Sequence, residues 1–407
     1  MSLLFDDDNY SLYNQNRSVR MGVVGPLALI ATRGNEAYVN KVNDELYRIR
    51  RKQVEERPEV LLTAPGFLRK DYQTETKFVR FSSGEAKCSI EQTLRGHDVF
   101  IIADVLNHGV TYNMRGLTVP MSPDEHLQDI KRAILAIGNK AQRINVVMPY
   151  LYQSKQVLRL SRAALDCAQM LKELINLNVH SIITFEPHEP RIENAIPQIG
   201  LERIPCSYLL LRTLLEGESN LSVDKKDLAI ISPDEAAMKR GIFYSSILGV
   251  QMSTFYRQRD YTGGKNNKNG DYPVSKYRFL GENLAGKNVL IVDDMIISGE
   301  TMLKTAYRLR QEQKVKDIYC LATFPIMTKG VKDFCQAYKD GVIKGLYSTD
   351  LIYHTPELKE QVWYHEADTT KFVASLIDCI NHNASISKLI DQTASINELL
   401  EKRRHKI

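Results

Sequence analysis

Short apolar runs recur along the chain, at Leu27–Ala31, Val99–Ala103, Ile144–Met148, His180–Phe185, Leu228–Ile231, Val289–Val292 and Ile318–Ala322. Between them apolar positions return at helical spacing, most clearly over His126–Ala141, Ser161–Leu177 and Thr301–Gln313. A strand that is apolar at consecutive positions is buried on both faces. Such strands, separated by helices, belong to a mostly parallel sheet covered on each side. The pattern therefore predicts the α/β class.

The pattern also repeats. Runs ending VFIIAD, INVVMPY and SIITFEP in the first half resemble LAIISPD, VLIVDD and DIYCLATF in the second. Each delivers polar residues at its carboxyl end, where open α/β sheets bind ligands. Two similar α/β domains, joined near Ser207–Glu218, follow as the expected organisation, with one large sheet as the alternative. The divisions are 1–20 as an extension, 21–206 and 207–370 as the domains, and 371–407 as C-terminal helices with a basic tail. Two stretches read as loops, Asn107–Ser122 and Arg257–Lys276. The second, polar and glycine-rich, reads either as an active-site lid or as a surface loop.

Composition narrows the partners. Over 407 residues, 54 Lys and Arg against 49 Asp and Glu leave a net charge of only +5, too even for a nucleic-acid footprint. The basic cluster Lys402–Lys406 reads as a solvated helix end. The first residues are acidic and lack the apolar core of a signal peptide. No window approaches the ~18 apolar residues of a membrane span. The six cysteines are scattered without a CxxC pair, which fits a reduced, cytoplasmic protein rather than a disulfide or zinc scaffold.

The most specific motif is Val289–Thr301, VLIVDDMIISGET. A buried strand leads through two adjacent carboxylates, Asp293 and Asp294, to a small-residue turn that opens a helix. A helix N-terminus presents unpaired N–H groups and a positive dipole end to an anion. Ser298, Gly299 and Thr301 are placed to wrap a phosphate there, with the acids beside it for sugar hydroxyls or a metal.

This segment resembles the phosphoribosyl-pyrophosphate (PRPP) loop of type I phosphoribosyltransferase folds. From about Gly25 to Asp391 the chain is similar to the ribose-phosphate pyrophosphokinase (PRPP synthetase) family, with further motifs in the family's order. The resemblance implies two phosphoribosyltransferase-type domains, an ATP side in 21–206 and a ribose 5-phosphate side in 207–370. Phe78–Glu85 (FVRFSSGE) is similar to the family's FSDGE segment and implies an adenine pocket from Phe81, Ser83 and Glu85, reached from a neighbouring subunit. Met148–Gln156 stands where the family has PYFGYARQDR, implying ATP contacts from Lys155 and Gln156, with Val157 and Leu158 replacing polar residues. Phe185–His188 matches the DLH motif, whose histidine serves the Mg–ATP centre, so His188 is a catalytic and metal candidate. Ser232–Arg240 resembles SPDAGGAKR and makes Asp234 a metal candidate, with Ala236 and Ala237 replacing two glycines. Arg257 and Arg259 stand for the catalytic cations of the family's KRR loop.

The implied reaction is ATP + ribose 5-phosphate → PRPP + AMP, with Mg²⁺ as cofactor and a dimer-based homo-oligomer, up to a hexamer, as the assembly. Asp293, Asp294, Ser298, Gly299 and Thr301 would hold ribose 5-phosphate. Ile297 and Glu300 depart from the usual acid and glycine of the loop. Those departures motivate a regulatory, catalytically impaired synthetase-like subunit as an alternative, and a PRPP-consuming phosphoribosyltransferase is a further one. Residues before Gly22, the Asn107–Ser122 insertion and the tail after Ile390 lie outside the family pattern.

Overall fold

The computed structural model describes residues 22–156, 159, 162–259 and 274–404, and of 257–259 and 274–277 the backbone alone. The expected 1–20 extension, Val157, Leu158, the centre of the Arg257–Lys276 stretch and the last basic residues, His405 and Lys406, lie outside the described residues. The chain forms two compact units. One runs to Cys206 and includes Leu351–Tyr353 and Asp368–Ser395. The other comprises Ser207–Asp350, His354–Ala367 and the chain from Ile396.

Among the described residues the first unit contains nine strands: β1 Leu27–Ala31, β2 Thr76–Arg80, β3 Ala86–Ile90, β4 Asp98–Ile102, β5 Thr111–Met114, β6 Leu117–Pro120, β7 Arg143–Val147, β8 Ser181–Phe185 and β9 Glu202–Ile204. Its main sheet has the order β1-β4-β7-β8-β9 and is parallel throughout. Every residue of β4 is buried, as its unbroken apolar run requires. The helix expected from His126 begins three residues earlier, at Pro123, and ends at Ile137. Ser122 and Glu125 form a reciprocal capping box that fixes its start. The insertion expected as a loop is instead the hairpin β5–β6, turned at Arg115 and Gly116, both with positive φ.

A buried polar network joins the two ends of this unit's chain. Arg50 donates to Asp378 Oδ1 at 3.0 Å and to Asn381 Oδ1 at 2.6 Å, and Gln53 donates to Asp378 Oδ2 at 2.7 Å. Asn381 in turn donates to the Gly25 carbonyl and to Asp98. Helix Thr370–Asn381 is thereby fastened to the start of the first sheet.

The second unit's sheet runs β12-β11-β10-β13-β14-β15-β16. Its strands are β10 Leu228–Ser232, β11 Gln251–Arg259, β12 Val274–Leu280, β13 Asn288–Ile296, β14 Ile318–Pro325, β15 Gly345–Thr349 and β16 Tyr364–Ala367. Only β12 is antiparallel, paired with β11. The stretch expected as a loop from Arg257 therefore begins and ends in paired strands. Ser207–Glu218, expected as the join, is mostly the helix Ser207–Gly217, because its leucines are buried. Arg403 of helix Thr393–Arg404 donates to the carbonyls of Leu215, Glu218, Ser219 and Leu221, satisfying acceptors at and beyond that helix's carboxyl end.

Candidate active site

Strand β13 is longer than the apolar run predicts. It continues through Asp293 and Asp294 to Ile296, with Met295 and Ile296 paired to Phe324 and Pro325 of β14. The two acids are therefore held by the sheet itself. Asp294 is buried, and its backbone N–H donates to Asp293 Oδ1 at 2.9 Å. Arg240 of helix Met238–Leu248 brings Nη1 to 3.8 Å from Asp294 Oδ1. Burial, the Asp294 carboxylate and a hydrogen bond to it push the Asp293 carboxyl well above the ordinary carboxylate range, with Asp234 adding to the repulsion and Arg240 opposing it. The structure thus brings three predicted carboxylates, Asp234, Asp293 and Asp294, into one electrostatic group. It adds Arg240, which the sequence reading did not single out. The signal available for it was its place as the last residue of the SPDAGGAKR-like segment, beside Lys239.

Asp234 lies in the turn between β10 and helix Met238–Leu248. Its Oδ1 accepts from the backbone N–H groups of Ala236, at 3.0 Å, and Ala237, at 3.3 Å, while Ser232 donates its hydroxyl to the Asp234 carbonyl. The alanines that replace the family's glycines thus supply backbone donors that orient the acid.

Two residues past β13, the turn Ser298–Gly299 opens helix Glu300–Glu312. Gly299 has φ +84, and a Cβ there would meet the Phe334 ring at 2.5 Å, so both backbone and space demand glycine. The Glu300 N–H donates to Ser298 Oγ at 3.4 Å. Thr301 follows in the first turn of the helix, half-buried. The Glu300 carboxylate is paired with Lys329, which holds it below the usual carboxylate range. The Ile297 carbonyl accepts from both the N–H and the hydroxyl of Thr328, so the Thr328–Lys329 segment is pinned beside the loop. The two departures from the family pattern are therefore locally compensated. Glu300 has its own cation, and Ile297 serves through its backbone.

In the first unit, Phe81, Ser83 and Glu85 form the tip of the β2–β3 hairpin. Phe81 is 47% exposed, and Ser83 donates to Glu85 Oε2 at 3.0 Å. Lys155 is exposed beyond β7. Gln156 is engaged at the start of helix Asp166–Asn176, where its Oε1 accepts from the Asp166 N–H at 2.6 Å and its Nε2 donates to Asp166 Oδ2 at 3.2 Å. His188 follows β8 and is half-buried, and the Glu186 carboxylate beside it accepts from the Cys206 N–H at 3.0 Å. The backbones of Arg257 and Arg259 close β11, while their side chains lie outside the described residues. Among the described residues no group of three or more His, Cys, Asp or Glu side chains forms a metal cluster.

Comparison with known proteins matches this architecture from both ends. Residues 27–177 match the model of the N-terminal domain of ribose phosphate pyrophosphokinase, and residues 200–333 match that of the phosphoribosyl transferase domain. The chain is 26% identical over 314 residues to the ribose-phosphate pyrophosphokinase of Bacillus caldolyticus, covering 77% of this chain and 88% of that one. Against the Corynebacterium ammoniagenes enzyme of the same name the identity is 25%, with the same coverage. In fold the chain is similar to phosphoribosylpyrophosphate synthetase from Mycobacterium smegmatis, with a TM-score of 0.67 over 88% of this chain and 99% of that one, at 17% identity. No helix among the described residues is long and apolar enough to cross a membrane. With the two family models in tandem over residues 27–177 and 200–333, the chain belongs to the ribose-phosphate pyrophosphokinase family of enzymes.

Proposed function

We propose that the chain is a ribose-phosphate diphosphokinase, transferring the β,γ-diphosphoryl group of ATP to the 1-hydroxyl of ribose 5-phosphate. The observation that carries this reading is the joining of Asp234, Asp293, Asp294 and Arg240 in one charged group, with Asp294 five residues before the Gly299 that opens the next helix. The acids accept hydrogen bonds from the ribose hydroxyls. The turn Ser298–Gly299 and the first helical residues, Thr301 among them, donate to the 5-phosphate. ATP is assigned to the first unit, its adenine at Phe81, Ser83 and Glu85 and its phosphates toward Lys155, Gln156 and His188. The ribose 1-oxygen attacks the β-phosphorus and loses its proton, the bond from that phosphorus to the AMP oxygen breaks, and AMP leaves. Arg257 and Arg259 offset charge on the transferred group, the main service a protein renders in phosphoryl transfer.

The oxygen donors of Asp234, Asp293 and Asp294 are the hard ligands that Mg²⁺ takes, and Mg²⁺ is usually held by one or two carboxylates plus substrate phosphates rather than by a closed protein cage. Asp234 in the second unit and His188 in the first are each a candidate to hold it, and when bound it would supply charge neutralisation on the polyphosphate. A homo-oligomer belongs to this reading, since an exposed tip at Phe81 suits a pocket completed by a neighbouring subunit.

A regulatory, catalytically impaired subunit is a second reading. It is favoured by the Gln156 amide, already occupied at the start of helix Asp166–Asn176. AMP release from Mg–ATP with ribose 5-phosphate separates the two, and Arg259→Ala then tests the mechanism. On the synthetase reading it lowers turnover about a hundredfold or more, the scale of a lost charge donor to a transition state, with ATP affinity retained. Unchanged turnover in Arg259→Ala would remove that residue from the mechanism.

A further inference from the structure

The β2–β3 tip is exposed, yet it is braced from beneath. Arg80, whose side chain is only 6% exposed, leaves β2 directly before Phe81 and donates from Nη1 to the Gly84 carbonyl at 3.0 Å. The same nitrogen lies 3.3 Å from Glu125 Oε1, and the guanidinium sits 4.9 Å over the Tyr112 ring. Tyr112 belongs to β5, in the hairpin that the family pattern does not include. Its hydroxyl donates to Glu125 Oε1 at 2.7 Å, and Glu125 Oε2 accepts from the Ser122 N–H at 2.9 Å in the capping box of helix Pro123–Ile137. From the same hairpin Met114 reaches Gly84, where a Cβ would stand 3.1 Å from the Met114 sulfur. The tip itself is tied by Phe81 N–H to the Glu85 carbonyl and Gly84 N–H to the Phe81 carbonyl, at 2.8 and 2.9 Å.

From this chain of contacts we infer that the β5–β6 hairpin is a buttress for the nucleotide-binding tip, and that Arg80 and Tyr112 are positioning residues that hold Phe81, Ser83 and Glu85 in the geometry that receives the base. The inference rests on the proposed nucleotide role of the tip. The physical reason is that a five-residue exposed turn gains little fixity from its own two backbone bonds. A buried guanidinium that is at once bonded to the turn, paired with a helix-anchored carboxylate and covered by an aromatic face removes most of that freedom. Fixing a binding element in advance reduces the ordering cost of association. The hairpin therefore acts on ATP affinity without touching ATP.

The test uses the full chain and two readouts, hydrogen exchange at the tip amides and direct ATP affinity by equilibrium dialysis. Tyr112→Ala removes the ring and the hydroxyl, and Tyr112→Phe restores the ring alone. Tyr112 is half-exposed, so neither variant threatens the sheet. Tyr112→Ala is expected to speed exchange of the Phe81 and Gly84 amides, leave β4 amides unchanged and weaken ATP binding about tenfold, with Tyr112→Phe in between. Unchanged tip exchange in Tyr112→Ala overturns the buttress. So does faster exchange with unchanged ATP affinity, provided that Phe81→Ala in parallel weakens ATP binding. If Phe81→Ala itself leaves ATP affinity unchanged, the nucleotide role of the tip fails, and the inference falls with it.

Discussion

Asp293 carries the sharpest cost of function in the molecule. It is forced beside Asp294 in a buried strand, with Asp234 adding to the repulsion and Arg240 opposing it. Its carboxyl is raised above its unfolded value, so the proton it retains favours the folded state. That contribution is fully present below the ordinary carboxylate range and is lost as pH climbs through the raised folded value. Asp293→Asn removes the repulsion. It should raise Tm at neutral pH by a few degrees, the shift produced by ~1 kcal/mol in a domain of this size, while raising the KM for ribose 5-phosphate at least tenfold. Calorimetry at pH 7 together with initial-rate kinetics checks both halves. A lowered Tm would mean that the acid is structurally needed rather than tolerated. Asp378 illustrates the opposite sign. Burial alone would raise it, but His382, Arg50 and Gln53 hold it below the ordinary value, so its stabilisation is lost as pH falls through that lowered value.

At the scale of elements, the turn proposed to bind the phosphate depends on one glycine. Gly299→Ala must strain a left-handed backbone and displace the Phe334 ring, which itself stacks on Trp363 at 5.5 Å. The expected outcome is a loss of more than about tenfold in kcat/KM for ribose 5-phosphate, with ATP affinity intact, read by steady-state kinetics against each substrate. The sequence made much of this level legible. The unbroken apolar runs identified β1, β4, β7, β8, β10, β13 and β14, and the Val289–Thr301 pattern located the loop, because buried parallel strands and helix-opening turns are written in local residue order. The β5–β6 and β11–β12 strands were not legible. Their residues are polar and mixed, and what makes them strands is pairing with a neighbouring strand rather than an unbroken apolar run. Nor could local order reveal that Lys329 neutralises Glu300, or that Arg240 faces Asp294, since both pairs form only when separate elements fold together.

Over the whole chain, sequence distance and spatial assignment part company. The first unit takes its last helix from Thr370–Asn381, so that Val24 N–H bonds to the Asn381 carbonyl across nearly the full length of the sequence. Arg50 is the hub of that closure, with Asp378 fully buried beside it. Arg50→Leu strands a buried carboxylate and should destabilise the first unit by roughly 3–5 kcal/mol. Urea unfolding of the full chain would register this as an early transition, and a change below about 1 kcal/mol would show the network to be dispensable. The tail after Ile396 belongs to the second unit instead, held by Arg403. The chain thus returns to each α/β unit after leaving it, and each unit carries one part of the proposed chemistry, nucleotide residues in the first and ribose residues in the second. That division is worth testing as a single reaction. The most direct measurement is AMP release from Mg–ATP by the purified full-length chain, with and without ribose 5-phosphate. AMP formed only when ribose 5-phosphate is present, with an equal amount of PRPP, is the expected result. A folded protein that binds ATP but forms no AMP with ribose 5-phosphate would contradict the synthetase assignment.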